Sequence, residues 1–109
     1  MLLNLFASWC LPCAVEAPHL EALSAKGATI HAIAVRDQPA DVGGFLDKHG
    51  NPFGRIGLDQ GGRMMIALGA SGVPETFVVD GRGIIRFQHL GEIRAEHVPM
   101  LLAELEKAR

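Results

Sequence analysis

Two short apolar runs, LLNLFAS at residues 2–8 and ATIHAIAV at 28–35, flank a segment long enough for a helix, and this spacing limits the fold more than any other feature. Runs of that length, bounded by polar or turn-forming residues, read as strands buried on both faces. The segment between them, roughly residues 11–25, carries Leu20 and Leu23 at core spacing and reads as a helix. Strand, helix and strand together make a βαβ unit, with parallel strands and a right-handed crossover.

Downstream, RDQP at 36–39 is a loop, and a helix is expected near 40–49, weakened by Gly43 and Gly44. GNPFGRIGLDQGGR is a turn-rich link with a short strand at 55–58, and RMMIALG at 63–69 reads as one or two helical turns with Met64 and Met65 in the core. TFVVD, the turn GRG and IIRFQHL then form a hairpin. HVPMLLAELEKAR places Val98, Leu101, Leu102 and Leu105 on one helical stripe, with Glu104, Glu106, Lys107 and Arg109 outside and Pro99 in the first turn. The expected fold is α/β, βαβ followed by ββα, with helices on both faces of a central mixed sheet. A chain of 109 residues fits one domain, spanning 1–109.

Composition narrows the function. Hydrophobic residues make up 49% and charged residues 20%, as in an ordinary globular protein. The net charge of -2 is spread over interleaved acids and bases, and no basic stripe carries aromatics, so no nucleic-acid partner is expected. The apolar start lacks the basic segment of a signal peptide, its first Lys or Arg being Lys26, and Asn4 and Ser8 interrupt it. No run approaches the length of a membrane span. Because the chain opens inside a strand-like run, further N-terminal sequence is expected in the whole protein.

The only two cysteines, Cys10 and Cys13, lie where the first strand meets the first helix. As a structural staple they would close a loop too short to constrain the unfolded chain much. As zinc ligands they supply half a set, with no second pair and no suitable spacing among His19, His31, His49, His89 and His97, none of which is assigned a catalytic task. Haem attachment needs His after the second Cys, and position 14 is Ala. A redox dithiol fits the position. Cys10 sits beside the unpaired N–H groups of the helix N-terminus, which favour a thiolate, and Cys13 lies one turn on, ready to resolve a mixed disulfide. Pro12 between them lacks only an N–H that would be orphaned anyway.

Trp9-Cys10-Leu11-Pro12-Cys13 resembles the W-C-x-P-C site of thioredoxin-fold proteins, and Pro18 matches the proline that kinks their active-site helix. Gly72-Val73-Pro74-Glu75-Thr76 is similar to the segment carrying that superfamily's cis-proline, which implies a cis Val73–Pro74 bond facing the dithiol and a Val73 backbone able to pair with an extended substrate. GNPFG at 50–54 with GVPETFVVDGRGIIRFQHLG at 72–91 narrows the likeness to the CcmG/DsbE branch, with Glu16 and Glu75 its most specific elements.

That resemblance implies a periplasmic protein-disulfide reductase of cytochrome c maturation, tethered by an N-terminal anchor that, with the family's first β segment, precedes this chain. It implies oxidised apocytochrome c or another protein of that pathway as substrate, an integral-membrane thiol reductant, and no metal or organic cofactor. Cys10, Cys13, Glu16 and Glu75 are the candidate catalytic residues; Trp9, Pro12, Val73 and Pro74 are the candidate substrate contacts. Glu16, three residues past Cys13 on one helical face, points toward the sulfurs or is a solvated helix acid. Glu75 is brought near the thiols by the Pro74 turn or is an ordinary loop carboxylate. Trp9 meets a partner protein or only packs. The rival functions are a TlpA/ResA-type or general thioredoxin-like reductase with other clients, and a non-catalytic module gripping cysteine-containing peptides.

Overall fold

The computed structural model describes the whole chain, Met1–Arg109. Its elements in chain order are β1 (Leu2–Phe6), α1 (Leu11–Ala25), β2 (Ile30–Val35), α2 (Pro39–His49), β3 (Ile56–Asp59), α3 (Arg63–Ala67), β4 (Glu75–Val79), β5 (Ile85–Leu90) and α4 (His97–Lys107). The five strands form one sheet in the order β3-β2-β1-β4-β5. β1 pairs parallel with β2 and β2 parallel with β3, while β4 runs antiparallel to both β1 and β5, so the sheet is mixed as expected.

Strand alternation divides the core into two. Leu2 and Phe6 of β1, Ile30, Ala32 and Ala34 of β2, and Val78 of β4 pack under α1, α2 and α4, through Leu20, Leu23, Val42, Val98 and Leu101. Leu5, Val35, Phe77 and Val79 point the other way, against Met65 of α3 and Ala70. Helices therefore cover both faces. Met64 does not join the core as expected: it is half exposed while Met65 is buried, because neighbours on a five-residue helix point about 100° apart and only one can face the sheet. On α4 the innermost pair of the apolar stripe, Val98 and Leu101, is buried, and Leu102 and Leu105 flank it half-buried.

Two carboxylates fix the connections. Asp59 Oδ2 accepts the Met65 N–H at 2.9 Å at the head of α3. Asp80 Oδ1 accepts from the N–H groups of Arg82 and Ile84, and its Oδ2 takes the Arg86 guanidinium at 2.7 Å, closing the β4–β5 turn. No helix is long and apolar enough to cross a membrane.

Leu101 is fully buried in one core cluster with Leu2, Leu20, Leu23, Val78 and Ile93. Leu101→Ala is expected to lower the unfolding free energy by about 2–5 kcal/mol, since it removes transfer energy and leaves a cavity. Leu102→Ala, emptying a half-exposed position, is expected to cost about half of that or less. Urea unfolding of the two variants measures both, and equal losses would contradict this seating of α4.

Candidate active site at the head of helix α1

Beyond Phe6 the chain leaves the sheet and is tied sideways to the end of β2 before α1 begins. Ser8 donates its N–H to Asp37 Oδ2 at 2.6 Å and its hydroxyl to Oδ1 at 2.7 Å. The Trp9 indole N–H donates to the Arg36 carbonyl at 3.1 Å. These three bonds anchor the segment that delivers Cys10. Asp37 drew no notice in the sequence because nothing in its own neighbourhood shows that β2 ends beside Ser8.

Cys10 is the N-cap of α1, with extended backbone (φ -98°, ψ 110°), and its Sγ accepts the Cys13 N–H at 3.2 Å. An N-cap acceptor meets an otherwise unsatisfied helix N–H, and here that acceptor is the sulfur itself. The two cysteines form a disulfide, and Pro12 lies in the first turn. Both sulfur residues are mostly covered, Cys10 at 6% exposure and Cys13 at 2%, so the first is the more accessible. Around them stands an apolar collar. Trp9, Leu11 and Val15 are 60%, 77% and 56% exposed, and Pro12 is exposed as well. Leu11 and Val15 were missed in the sequence; their signal is apolar character on the side of α1 turned away from Leu20 and Leu23. Beside Trp9, a groove of about 520 Å³ runs along α2, lined by Asp37, Phe45 and Lys48 among others.

Val73 packs against the cluster that holds both cysteines, and the Val73–Pro74 bond is cis. Neither the N–H nor the C=O of Val73 has a hydrogen-bond partner within the chain, whereas the Pro74 carbonyl accepts from Gly91 N at 3.0 Å.

The two expected acids part company. Glu16 is fully buried on α1, and it lines a cavity of about 10 Å³ together with Cys13, Asn4 and Phe6. Its Oε2 accepts from Asn4 Nδ2 at 3.0 Å and its Oε1 from the Ile93 N–H at 3.1 Å. It is no solvated helix acid. Burial pushes its carboxyl up from 4.5 to about 7, with the Glu92 charge acting in the same direction and the bonds from Asn4 and Ile93 holding it back.

Glu75 requires a correction. Thr76 faces α1, since its Oγ1 accepts from the same Asn4 Nδ2 at 3.0 Å, so its neighbour Glu75 points through the opposite face of the sheet. There its Oε2 accepts from Ser71 N, Ser71 Oγ and Gly72 N, and its Oε1 from Gln88 Nε2 at 2.6 Å. The carboxylate clamps the loop before Pro74 instead of flanking the sulfurs beside Glu16. Asn4, by contrast, was noted in the sequence only as an interruption, although a polar residue inside a central apolar strand is itself the signal.

The histidines are less scattered than the sequence suggests: the rings of His89 and His97 lie 4.4 Å apart. No three His, Cys, Asp or Glu side chains are grouped to hold a metal ion. A disulfide whose accessible sulfur caps a helix is placed for thiol–disulfide exchange.

Comparison with known proteins agrees with this geometry. The Redoxin family model matches residues 1–105. The chain is 41% identical over 108 residues to a thiol:disulfide interchange protein DsbE homolog of Paracoccus denitrificans, covering 98% of this chain and 60% of the relative. It is 48% identical over 84 residues to the thiol:disulfide interchange protein HelX of Rhodobacter capsulatus, covering 77% and 48%. The chain thus spans about half the length of the curated relatives it matches. Among solved structures, a thiol:disulfide interchange protein DsbE from Chlorobium tepidum superposes with a TM-score of 0.79 at 27% identity, over 98% of this chain and 77% of that one. MTB DsbF superposes at 0.81 with 22% identity over 99% and 79%, a likeness of fold.

Because the folded state holds the Glu16 proton up to about pH 7 while a free carboxyl gives it up near 4.5, the folded chain binds the extra proton between those values. Its contribution to stability is complete below the lower value and is lost as pH rises through the upper one, on the order of 3 kcal/mol in all. The unfolding free energy of the oxidised protein is therefore expected to fall between about pH 5 and pH 8, and Glu16→Gln to flatten that slope. Urea titrations across this range test it; parallel slopes in parent and variant would remove Glu16 as the source.

Proposed function

Because this chain belongs to the Redoxin family, we propose that it is a thiol-disulfide oxidoreductase that works as a protein-disulfide reductase in cytochrome c maturation. The observation that carries the proposal is the Cys10 sulfur acting as the N-cap of α1, with Cys13 behind it and buried Glu16 on the same small cavity. The DsbE and HelX relatives support the exchange chemistry by their names. The resemblance to the CcmG/DsbE branch supports the pathway, a periplasmic site and a membrane tether in the whole protein.

In the reduced state the helix N-terminus favours the Cys10 thiolate. That thiolate attacks one sulfur of a partner disulfide, forming a Cys10–partner bond while the partner's other sulfur leaves as a thiolate and takes up a proton. Cys13 then gives its proton to the Glu16 carboxylate and attacks Cys10. The mixed disulfide breaks, the partner's second thiolate departs, and the Cys10–Cys13 disulfide remains. Two electrons have passed to the partner. An integral-membrane thiol donor returns them in the reverse exchange, and the proton held by Glu16 reprotonates Cys13. Oxidised apocytochrome c, or another protein of that pathway, is the proposed partner, docking its apolar surface on Trp9, Leu11, Pro12 and Val15 and an extended segment on the Val73 backbone.

Cys13→Ser should accumulate a mixed disulfide when its reduced form is mixed with oxidised apocytochrome c, because nothing remains to resolve it. The product is read as a band on non-reducing gels that disappears with dithiothreitol, and Cys10→Ser should give none. Trapping through Cys13 in the Cys10→Ser protein, with none in Cys13→Ser, would reverse the assigned roles.

A further inference from the structure

An amide in the middle of the central strand has no place in an apolar core unless it does something there. Asn4 is fully buried between Leu3 and Leu5. Its Nδ2 serves two acceptors, Glu16 Oε2 and Thr76 Oγ1, each at 3.0 Å, while its Oδ1 has no partner. The other oxygen of Glu16, Oε1, is met by the Ile93 N–H. A peptide N–H can only donate, so it holds Oε1 as an acceptor whatever the charge of the group. Oε2 is different. Both neighbours on its side, a primary amide and through it a hydroxyl, can donate or accept.

We infer that Asn4 is a positioning residue for the dithiol reaction, whose amide turns over to match the charge of Glu16, so that Oε2 meets a donor when ionised and an acceptor when protonated. The inference rests on the proposed role of Glu16 as proton partner of Cys13. With Glu16 ionised, Asn4 presents Nδ2, as in the structure. With Glu16 protonated, a half-turn about the Cβ–Cγ bond brings Oδ1 to the Oε2–H group, and Oδ1 also accepts the Thr76 hydroxyl proton. The far end of the amide has no partner within the chain before the turn, and Nδ2 takes its place there after it, so no hydrogen bond of the chain is lost. The proton is thereby assigned to Oε2, on the side facing Asn4. The ionisable groups facing Glu16 are Cys13 on its own helix and Glu92 on the segment leading into α4; β1 and β4 offer only the neutral Asn4 and Thr76.

The test follows the carboxylic-acid infrared band of Glu16, identified by its loss in Glu16→Gln, as a function of pH. In the parent its midpoint is expected at about 7. Asn4→Leu removes both the donor to the ionised form and the acceptor for the protonated one; the charge-assisted bond is the stronger, so the midpoint should still rise, by roughly half a pH unit, and the acid band, no longer donating to Oδ1, should move to higher frequency. Thr76→Val removes the second anchor of the amide and should move the band the same way by less. If Asn4→Leu does not fold, Thr76→Val decides by the same criterion. An acid band that stays at the parent frequency in Asn4→Leu would show that the protonated carboxyl never met Oδ1 and overturn the inference, as would a fall in the midpoint. Reduction of oxidised apocytochrome c by the parent is measured alongside. Its absence would sink the proposed function and leave the Asn4–Glu16 titration readable, whereas activity with an unmoved acid band would sink only the role of Asn4.

Discussion

Everything in the site is placed by β1, the middle strand of the five, hydrogen-bonded on both edges and covered on both faces. Its parallel pairing with β2 and its antiparallel pairing with β4 fix the register from two sides, Asn4 lying across from Ala32 and from Thr76. A slip of one residue would turn every side chain to the other face. Asn4 would then leave Glu16 and Thr76, and Leu5 would be pushed from the α3 side into α1. The end of the same strand launches Ala7–Cys10, so the sulfur that caps α1 and the amide that meets Glu16 are held by one backbone. Distances between them depend on no flexible loop. The only loop needed is the crossing at Arg36–Gln38, and Asp37 ties that down with two bonds to Ser8.

The two buried glutamates show how the same group serves opposite ends. Glu75 is saturated, with three bonds to Oε2 and one to Oε1, three of the four from the loop it closes. A carboxylate so supplied serves as a fixed anchor for that loop. Glu16 is buried at least as completely and has one donor for each oxygen. Two bonds do not replace the water lost by a buried charge, and this shortfall is why its affinity for a proton is raised. The structural acid is over-supplied with donors; the acid beside Cys13 is under-supplied.

Much of this was legible in the sequence. The apolar runs at 2–8 and 28–35 gave β1 and β2, the segment between them gave α1 to its ends, and the C-x-x-C spacing at the strand–helix junction placed the dithiol, because each depends on residues near one another in the chain. The side of the sheet taken by Glu75 could not be read that way. It follows from the pairing of β4 with β1, some seventy residues away, and residue 75 or 76 was equally free to face α1 until that register was known. Asp37 and Asn4 escaped for the same reason: their partners, Ser8, Glu16 and Thr76, are brought in by tertiary contacts. Met64 and Met65 differ only in helical phase, which a segment of five residues is too short to reveal by periodicity.

With Glu75 turned away, the electrostatics at the dithiol reduce to a contest between two elements. In the proposed reduced form, the N-terminus of α1 favours a thiolate on Cys10. Glu16 opposes a second negative charge beside it only when it is ionised, and it is neutral over the acidic half of the range, below about 7. In the proposed exchange, one proton passes between Cys13 and Glu16. Below neutrality the pair holds the proton that a departing thiolate needs. Above it, the carboxylate is available to take the proton that Cys13 must lose before it can attack. A base whose affinity lies near the working pH is strong enough to accept that proton and weak enough to return it, which a solvated glutamate is not. Burial of Glu16 thus gives up some stability and gains a group that can work in both directions of the exchange.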